Sequence, residues 1–524
     1  MVLENVPVID LFAGPGGLGE GFSSFSNGTK KNPFRIGVSI EKDPFAHKTL
    51  TLRAFVRQFP QKKLPDAYYQ YLNNQISSET LFELFPEEAK RAKEEAQLRT
   101  LGKDPEIAQI IKERVKGHDK WVLIGGPPCQ AYSLVGRSRM LGLVQEEGES
   151  AREFAKRKKT NEARFDGDHR HTLYKEYLKI IADHSPPIFV MENVKGILSS
   201  KLKGNFIFPQ ILEDLQDPAK ALGKKGAGSK YRIKSLVEQE SELFETDSQS
   251  LNFLIKSEEY GIPQARHRVI LVGIREDHAH QKFQPLKKKA GPSLRETIED
   301  LPPLTPGLSR SRSGAPYEAL ASILDHPKWP SFANDPIHSP VALRMVKELK
   351  KARKRETRGG TVVTKKSLSQ DPWYHDDKLL GTGNHETRSH IKEDLWRYFF
   401  CSCFALVHGR SPLMKNFPTF LYPKHRNVAE AVSGKKFGDR FRVQCWNRPA
   451  TTVTSHISKD GHYFIHPDPR QYRSLTVREA ARLQTFPDNY RFEGPRTQQF
   501  HQVGNAVPPK LAVQIAEKVY RILR

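Results

Sequence analysis

Three short stretches of this sequence hold side chains that could do chemistry together. Cys129 stands in Gly126-Pro127-Pro128-Cys129-Gln130, directly after the apolar run Trp121-Val122-Leu123-Ile124. A side chain just past a parallel strand faces the crevice where α/β proteins bind ligands, and the two prolines restrict the backbone that carries the thiol. A thiolate held there is a strong and tunable nucleophile, although a buried structural thiol is the commoner fate of a cysteine. Glu192 follows the run Ile188-Phe189-Val190-Met191, which places a carboxyl group on the same rim. Arg266 and Arg268 sit in Gln264-Ala265-Arg266-His267-Arg268, and alternate residues of an extended segment share a face. A thiol, a carboxylic acid and two guanidiniums at three strand ends could attack, protonate and orient a polar heterocycle.

The elements that must position these groups read as buried strands. The runs over 6–12, 34–40, 121–124, 188–191 and 268–274 are short, apolar and bounded by glycine, proline or charge. Helical stretches alternate with them. The expectation is a doubly wound, mostly parallel α/β sheet over residues 1–275, carrying a charged helical insertion at about 60–118. From 276 to 444 periodicity fades and basic runs appear, which predicts a second, irregular domain; 445–524 returns to complete the first. In the returning part Pro508-Pro509 opens a helix with Leu511, Ile515, Val519 and Ile522 on one face.

Gly14-Pro15-Gly16-Gly17-Leu18-Gly19 fits G-x-G-x-x-G right after the first strand, and Glu41 after the second could hold ribose hydroxyls. A nicotinamide-dependent dehydrogenase would share that turn, so the decision rests on residues elsewhere. A second glycine stretch, 223–230, fails as a phosphate loop because Ser229 precedes Lys230 and Tyr231 follows it.

Lysine and arginine number 84 against 60 acidic residues in the 524-residue chain, a net charge of +24. Such a surplus favours a polyanionic partner through counterion release. The sequence has no apolar run of membrane-spanning length and no signal-peptide pattern at 1–12, so a soluble, cytoplasmic protein with no membrane partner is expected. Four cysteines suit a reducing compartment. Cys401 and Cys403 lie in an apolar segment with no zinc-ligand spacing, and no metal is expected.

In chain order the sequence carries Asp10-Leu11-Phe12-Ala13-Gly14-Pro15-Gly16-Gly17, Pro127-Pro128-Cys129-Gln130, Glu192-Asn193-Val194, Gln264-Ala265-Arg266-His267-Arg268, Arg478-Glu479-Ala480-Ala481-Arg482-Leu483-Gln484 and Gly504-Asn505-Ala506-Val507-Pro508. This series resembles the DNA (cytosine-5)-methyltransferase family, over roughly 1–275 and 440–524. The dehydrogenase reading explains only the first motif and falls away.

The resemblance implies S-adenosylmethionine as cofactor, double-stranded DNA as substrate, a monomeric enzyme and a bacterial restriction-modification role, with a restriction endonuclease acting separately. It implies a cofactor pocket formed by Phe12, Gly14, Gly16, Gly17, Leu18, Pro127, Asn505 and Val507, with Glu41 on the ribose and Lys42 beside the adenine. It makes Cys129 the nucleophile at carbon 6 of a flipped cytosine, and Glu192 the partner of N3. Arg268 would bind O2 with support from Arg266. Arg137, in the stretch after Cys129, and Thr452 are implied DNA contacts, and Lys354 and Arg355 in the basic run 347–366 are candidate phosphate contacts. The family's third motif, an acid near the adenine amino group, is not evident before Trp121. An RNA cytosine-5 methyltransferase and a catalytically silent DNA-binding homologue remain the alternatives.

Overall fold

A computed structural model describes the chain apart from residues 1–2, 29–31, 61–62, 129–149, 151–152, 155–168, 203–204, 225–227, 238–251, 281–282, 310–314, 353–356, 364–368, 370, 425–427 and 435–436. Its centre is an eight-stranded sheet of β1 (Val6–Leu11), β2 (Phe34–Glu41), β3 (Ala96–Leu98), β4 (Val122–Gly125), β5 (Ile188–Val194), β6 (Tyr231–Ser235), β7 (Leu254–Lys256) and β8 (His267–Arg275). The spatial order is β3-β2-β1-β4-β5-β8-β6, with β7 also pairing β8. The ladders from β3 through β5 are parallel, whereas β8 runs antiparallel to β5, β6 and β7. Central strands covered on both faces need apolar residues at every position. Every residue of β1 and β4 is buried.

Both faces carry helices, as a doubly wound fold requires. One apolar cluster joins Val8, Ile36 and Ile124 to α1 (Gly17–Ser24) and to the last helix, Pro509–Leu523, through Phe22, Leu511, Ile515 and Val519. The other joins Ile9, Leu11 and Leu123 to helices Glu106–Val115, His169–His184 and Ile207–Gln216 through Ile111, Ile181 and Ile211. Gly21 lets α1 and the last helix touch: a Cβ there would stand 2.2 Å from that of Ala512.

The charged stretch expected as an insertion proves to be only partly one. After α2 (Pro44–Val56), three helices, α3 (Asp66–Leu72), α4 (Ser78–Leu84) and α5 (Pro86–Glu95), are added beside α2. The stretch then supplies β3, a strand of the central sheet, and α6 (Glu106–Val115). Only Ala96 of the three residues in β3 is buried, so no apolar run marked it.

Beyond β8 the chain builds a separate apolar cluster on α7 (Ser339–Lys351) and α8 (Lys392–His408). Cys401 and Cys403 are buried within it, and the Cys401 thiol donates to the Phe441 carbonyl. Short pairings of Gly307–Leu308 with Ser389–His390, and of Gly359–Val363 with Thr382–Glu386, join the loops around it. The chain returns through α9 (Val477–Leu483), α10 (Arg496–Asn505) and α11 (Pro509–Leu523). A capping box of Thr476 and Glu479 starts α9. Burial raises the cost of ionising Glu479, but the facing Arg473 guanidinium outweighs it and holds the carboxyl far below its usual range.

Candidate active site

The carboxyl ends of β1, β2, β4 and β5 open into one cleft of about 630 Å³. Phe12, Gly14, Gly17, Leu18, Glu41, Lys42, Pro127, Asn505 and Val507 line it, and so do Glu192, Arg266 and Arg268. Gly16 is buried just behind the wall as the N-cap of α1. Apart from Gly16 and Cys129, the residues singled out for the cofactor and for the cytosine ring therefore line a single cavity. Cys129, Arg137, Lys354 and Arg355 fall outside the described residues. Pro127 and Pro128, which lead into Cys129, are on the cleft wall.

The glycine turn is shaped by backbone requirements. Phe12, Gly14 and Gly16 have φ of 58°, 58° and 97°, in the left-handed region, and Phe12 tolerates it only because its surroundings hold it there. Gly17 is needed for a different reason: a Cβ would lie 2.3 Å from the Val507 carbonyl oxygen. The chain end thus rests directly on the turn. Glu41 closes the other side by accepting from Gly14 N at 2.7 Å with one oxygen, and from Lys42 N and Asp43 N at 2.8 and 2.7 Å with the other. Asp43 in turn caps α2.

Asp10 belongs to the first motif and lines the same cleft. It is buried, with the Gly19 backbone N–H beside its carboxyl group and neither oxygen in a hydrogen bond of good geometry. Burial pushes its pKa up to about 8, against the opposing charge of Arg57. Its ladder partner on β2 is Ser39, whose buried hydroxyl also has no hydrogen-bond partner.

On the opposite wall Arg268 Nε is 2.9 Å from Glu192 Oε1, and Arg268 Nη1 donates to the His267 carbonyl. Asn193, next to Glu192, donates to the Pro127 carbonyl at 3.2 Å and so ties β5 to the segment entering Cys129. Gly126 leaves room for the glutamate; a Cβ would come within 3.0 Å of Glu192 Oε2. Arg266 behaves differently from Arg268. Its Nη1 donates to the carbonyls of Val453 at 2.8 Å and Gly504 at 3.2 Å, so it holds two backbone segments against the site. Burial, and then the charge of Arg268, push the Arg266 pKa well down, which only the nearby Glu192 opposes.

Thr452 does not line the cleft, and its hydroxyl donates to the Ala265 carbonyl at 2.5 Å. That proton is not available to a phosphate in this arrangement. Residues not singled out from the sequence also line the cleft: Arg99, Thr100 and Leu101 after β3, and Gln498 and His501 on α10. The first three follow an edge strand with a single buried side chain, so no apolar run in the sequence points to them. Among the described residues, no cluster of three or more His, Cys, Asp or Glu could hold a metal ion. Nor is any helix there long and apolar enough to cross a membrane.

A mostly parallel sheet with one antiparallel strand near its edge, and a glycine turn over the end of β1, is the fold of S-adenosylmethionine-dependent methyltransferases. The family model of C-5 cytosine-specific DNA methylases matches residues 101–521, and the chain belongs to that family. It is similar to the type II methyltransferase M.Bpa9945I of Bacillus paralicheniformis, with 32% identity over 98% of this chain and 99% of the relative. Identity to the type II methyltransferase M.DdeI of Desulfomicrobium norvegicum is 26%, over 98% of this chain and 88% of that one. The DNA (cytosine-5-)-methyltransferase M.ApeKI of Aeropyrum pernix is 24% identical over 80% of this chain and 85% of its own length. The protein is a DNA (cytosine-5-)-methyltransferase.

Proposed function

We propose that this chain methylates carbon 5 of a cytosine flipped out of a specific duplex DNA sequence, through a covalent adduct with Cys129. The observation that carries the reading is the Glu192–Arg268 pair, which shares one cleft with the glycine turn and with the Pro127-Pro128 lead into Cys129. Base flipping is required because the target atom is otherwise inside the stack.

The cleft fits S-adenosylmethionine. The turn from Gly14 to Gly17 presents backbone without bulk, and the Glu41 carboxylate that ties Gly14 lines the same cleft, suited to the hydroxyls of a nucleoside. Phe12, Leu18, Glu41, Lys42, Asn505 and Val507 would hold the cofactor, which supplies an electrophilic methyl group when bound. Cys129 adds its sulfur to carbon 6, and the carbon 5–carbon 6 π pair moves to carbon 5, which would form the new bond to the methyl carbon as the methyl–sulfonium bond breaks, its electron pair remaining on the sulfur of departing S-adenosylhomocysteine. Glu192 hydrogen-bonds or protonates N3 and relieves the charge that addition creates, while Arg268 fixes O2. A base or water takes the carbon 5 proton, the double bond re-forms, and the thiolate leaves. Arg266 supports this wall from behind.

The partition 1–275, 276–444 and 445–524 is proposed to separate catalysis from target recognition, with Arg137, Lys354, Arg355 and Thr452 near the duplex. The type II names of the relatives support a restriction-modification role; a separate endonuclease and a monomeric, cytoplasmic enzyme belong to the same proposal. Labelled methyl incorporation into duplex DNA and into tRNA tests the reading. Cys129→Ser should keep duplex binding and lose methylation. Near-normal turnover by that variant would remove the covalent route, and labelling of tRNA alone would move the substrate to RNA.

A further inference from the structure

A buried chain of amide groups links the segment facing the proposed DNA side to the segment that closes the cofactor cleft. Gln264 Oε1 accepts from Val453 N at 3.0 Å, and its Nε2 donates to the Leu483 carbonyl at 2.7 Å and to Gln484 Oε1. Gln484 Nε2 then donates to the carbonyls of Val503 at 2.6 Å and Ala506 at 3.0 Å. Both side chains are fully buried, and each has its oxygen and its nitrogen engaged, so neither amide can rotate without orphaning a buried group. The connection is doubled. Arg266 Nη1 bridges the Val453 and Gly504 carbonyls, and at Gly504 a Cβ would sit 2.2 Å from Ser455 N. Residues 450–455 and 503–507, distant in sequence, are therefore tied together by buried hydrogen bonds and close backbone packing.

We propose that Gln484 is a positioning residue that, through Gln264, couples cofactor binding to duplex binding. It fixes Asn505 and Val507 over the glycine turn in one register with residues 451–453. The proposal rests on the reading that 503–507 face the cofactor and 451–453 the DNA. Filling the cleft would stiffen 503–507, and the amides would pass that restraint to Val453 N. Because coupling between sites is reciprocal, a bound duplex would tighten the cofactor by the same factor.

The first test uses the unaltered protein, with S-adenosylhomocysteine alone and amide hydrogen exchange as the readout. Slower exchange is expected both at 503–507 and at 451–454. Protection at 503–507 without protection at 451–454 overturns the coupling while leaving the cofactor reading intact. Protection at neither overturns both. The second test measures S-adenosylhomocysteine affinity with and without duplex. In the parent the duplex should tighten it on the order of tenfold. In Gln484→Met that factor should fall below about twofold while duplex affinity without cofactor is kept, and Gln484→Asn should restore part of it. An unchanged factor in Gln484→Met, or no tightening in the parent, overturns the proposal. A purely structural role would lower both affinities without separating them.

Discussion

Arg268 and Glu192 form an ion pair across the β5–β8 ladder, although they are not ladder partners. Arg268 lies opposite Val194 and Glu192 opposite Ile270, so the contact is diagonal and both side chains project to one face of the sheet. Each side chain is only 13–14% exposed. Losing one partner of such a pair leaves the other charge poorly solvated. Arg268→Leu should therefore lower kcat by about 10²–10³ and also lower the melting temperature. Glu192→Gln should lose a similar factor in kcat while melting nearer the parent, because the amide oxygen still accepts from the guanidinium. Steady-state rates and a thermal melt separate the two, and equal melting losses would contradict this account.

Asp10 gives the enzyme a pH-dependent liability. Its folded pKa of about 8 stands above the ordinary 3.8, so between these values the folded state keeps a proton that the unfolded state has released. Stability should fall as pH rises through that window, by up to about 1.4 kcal/mol per pH unit, and level off above pH 8. Asp10→Asn removes the titration. Its melting temperature relative to the parent should climb from pH 4 to pH 8 and then stay level; a constant difference would mean that Asp10 titrates normally.

Gly17 and Gly14 should differ in the damage an added methyl does. Gly14→Ala meets no atom within 4 Å but must hold φ at 58°, a cost of about 1–2 kcal/mol. Gly17→Ala drives a methyl into the Val507 carbonyl, so it should lose cofactor affinity well beyond what its stability loss explains. Calorimetric titration with S-adenosylhomocysteine distinguishes them.

Thr452→Val should cost about 1 kcal/mol, the typical value of the hydrogen bond to Ala265 that it removes. The salt dependence of duplex binding should not change. A shallower slope would make Thr452 a phosphate contact after all.

The order of the chemistry along the chain was legible because strand ends are loud. An apolar run halted by glycine or proline, as at Leu123-Ile124-Gly125-Gly126, marks both the strand and the position facing the cleft. β3 was silent because an edge strand with one buried side chain needs no apolar run, and Arg99 to Leu101 were missed with it. Arg266 and Arg268 look equivalent by spacing. Their different tasks, a backbone clamp and a partner for Glu192, depend on which distant loop packs nearby. The arginines of the ninth-helix motif likewise hide their purpose: Arg478 serves the carbonyls of Gly383, Pro487 and Tyr490, and Arg482 pairs with Asp300 and Asp488.

The packing of α11 on α1 has a consequence for how the enzyme is made. The wall of the cleft over Gly17 and the apolar cover of α1 are supplied from almost the far end of a 524-residue sequence. At about 5–20 residues per second a ribosome needs roughly half a minute to a minute and a half to pass from α1 to that segment. Until then the nascent chain holds its glycine turn with one wall missing, exposing Phe22 and its neighbours to chaperones and proteases. Every newly translated copy thus passes through a silent interval before it can mark any DNA.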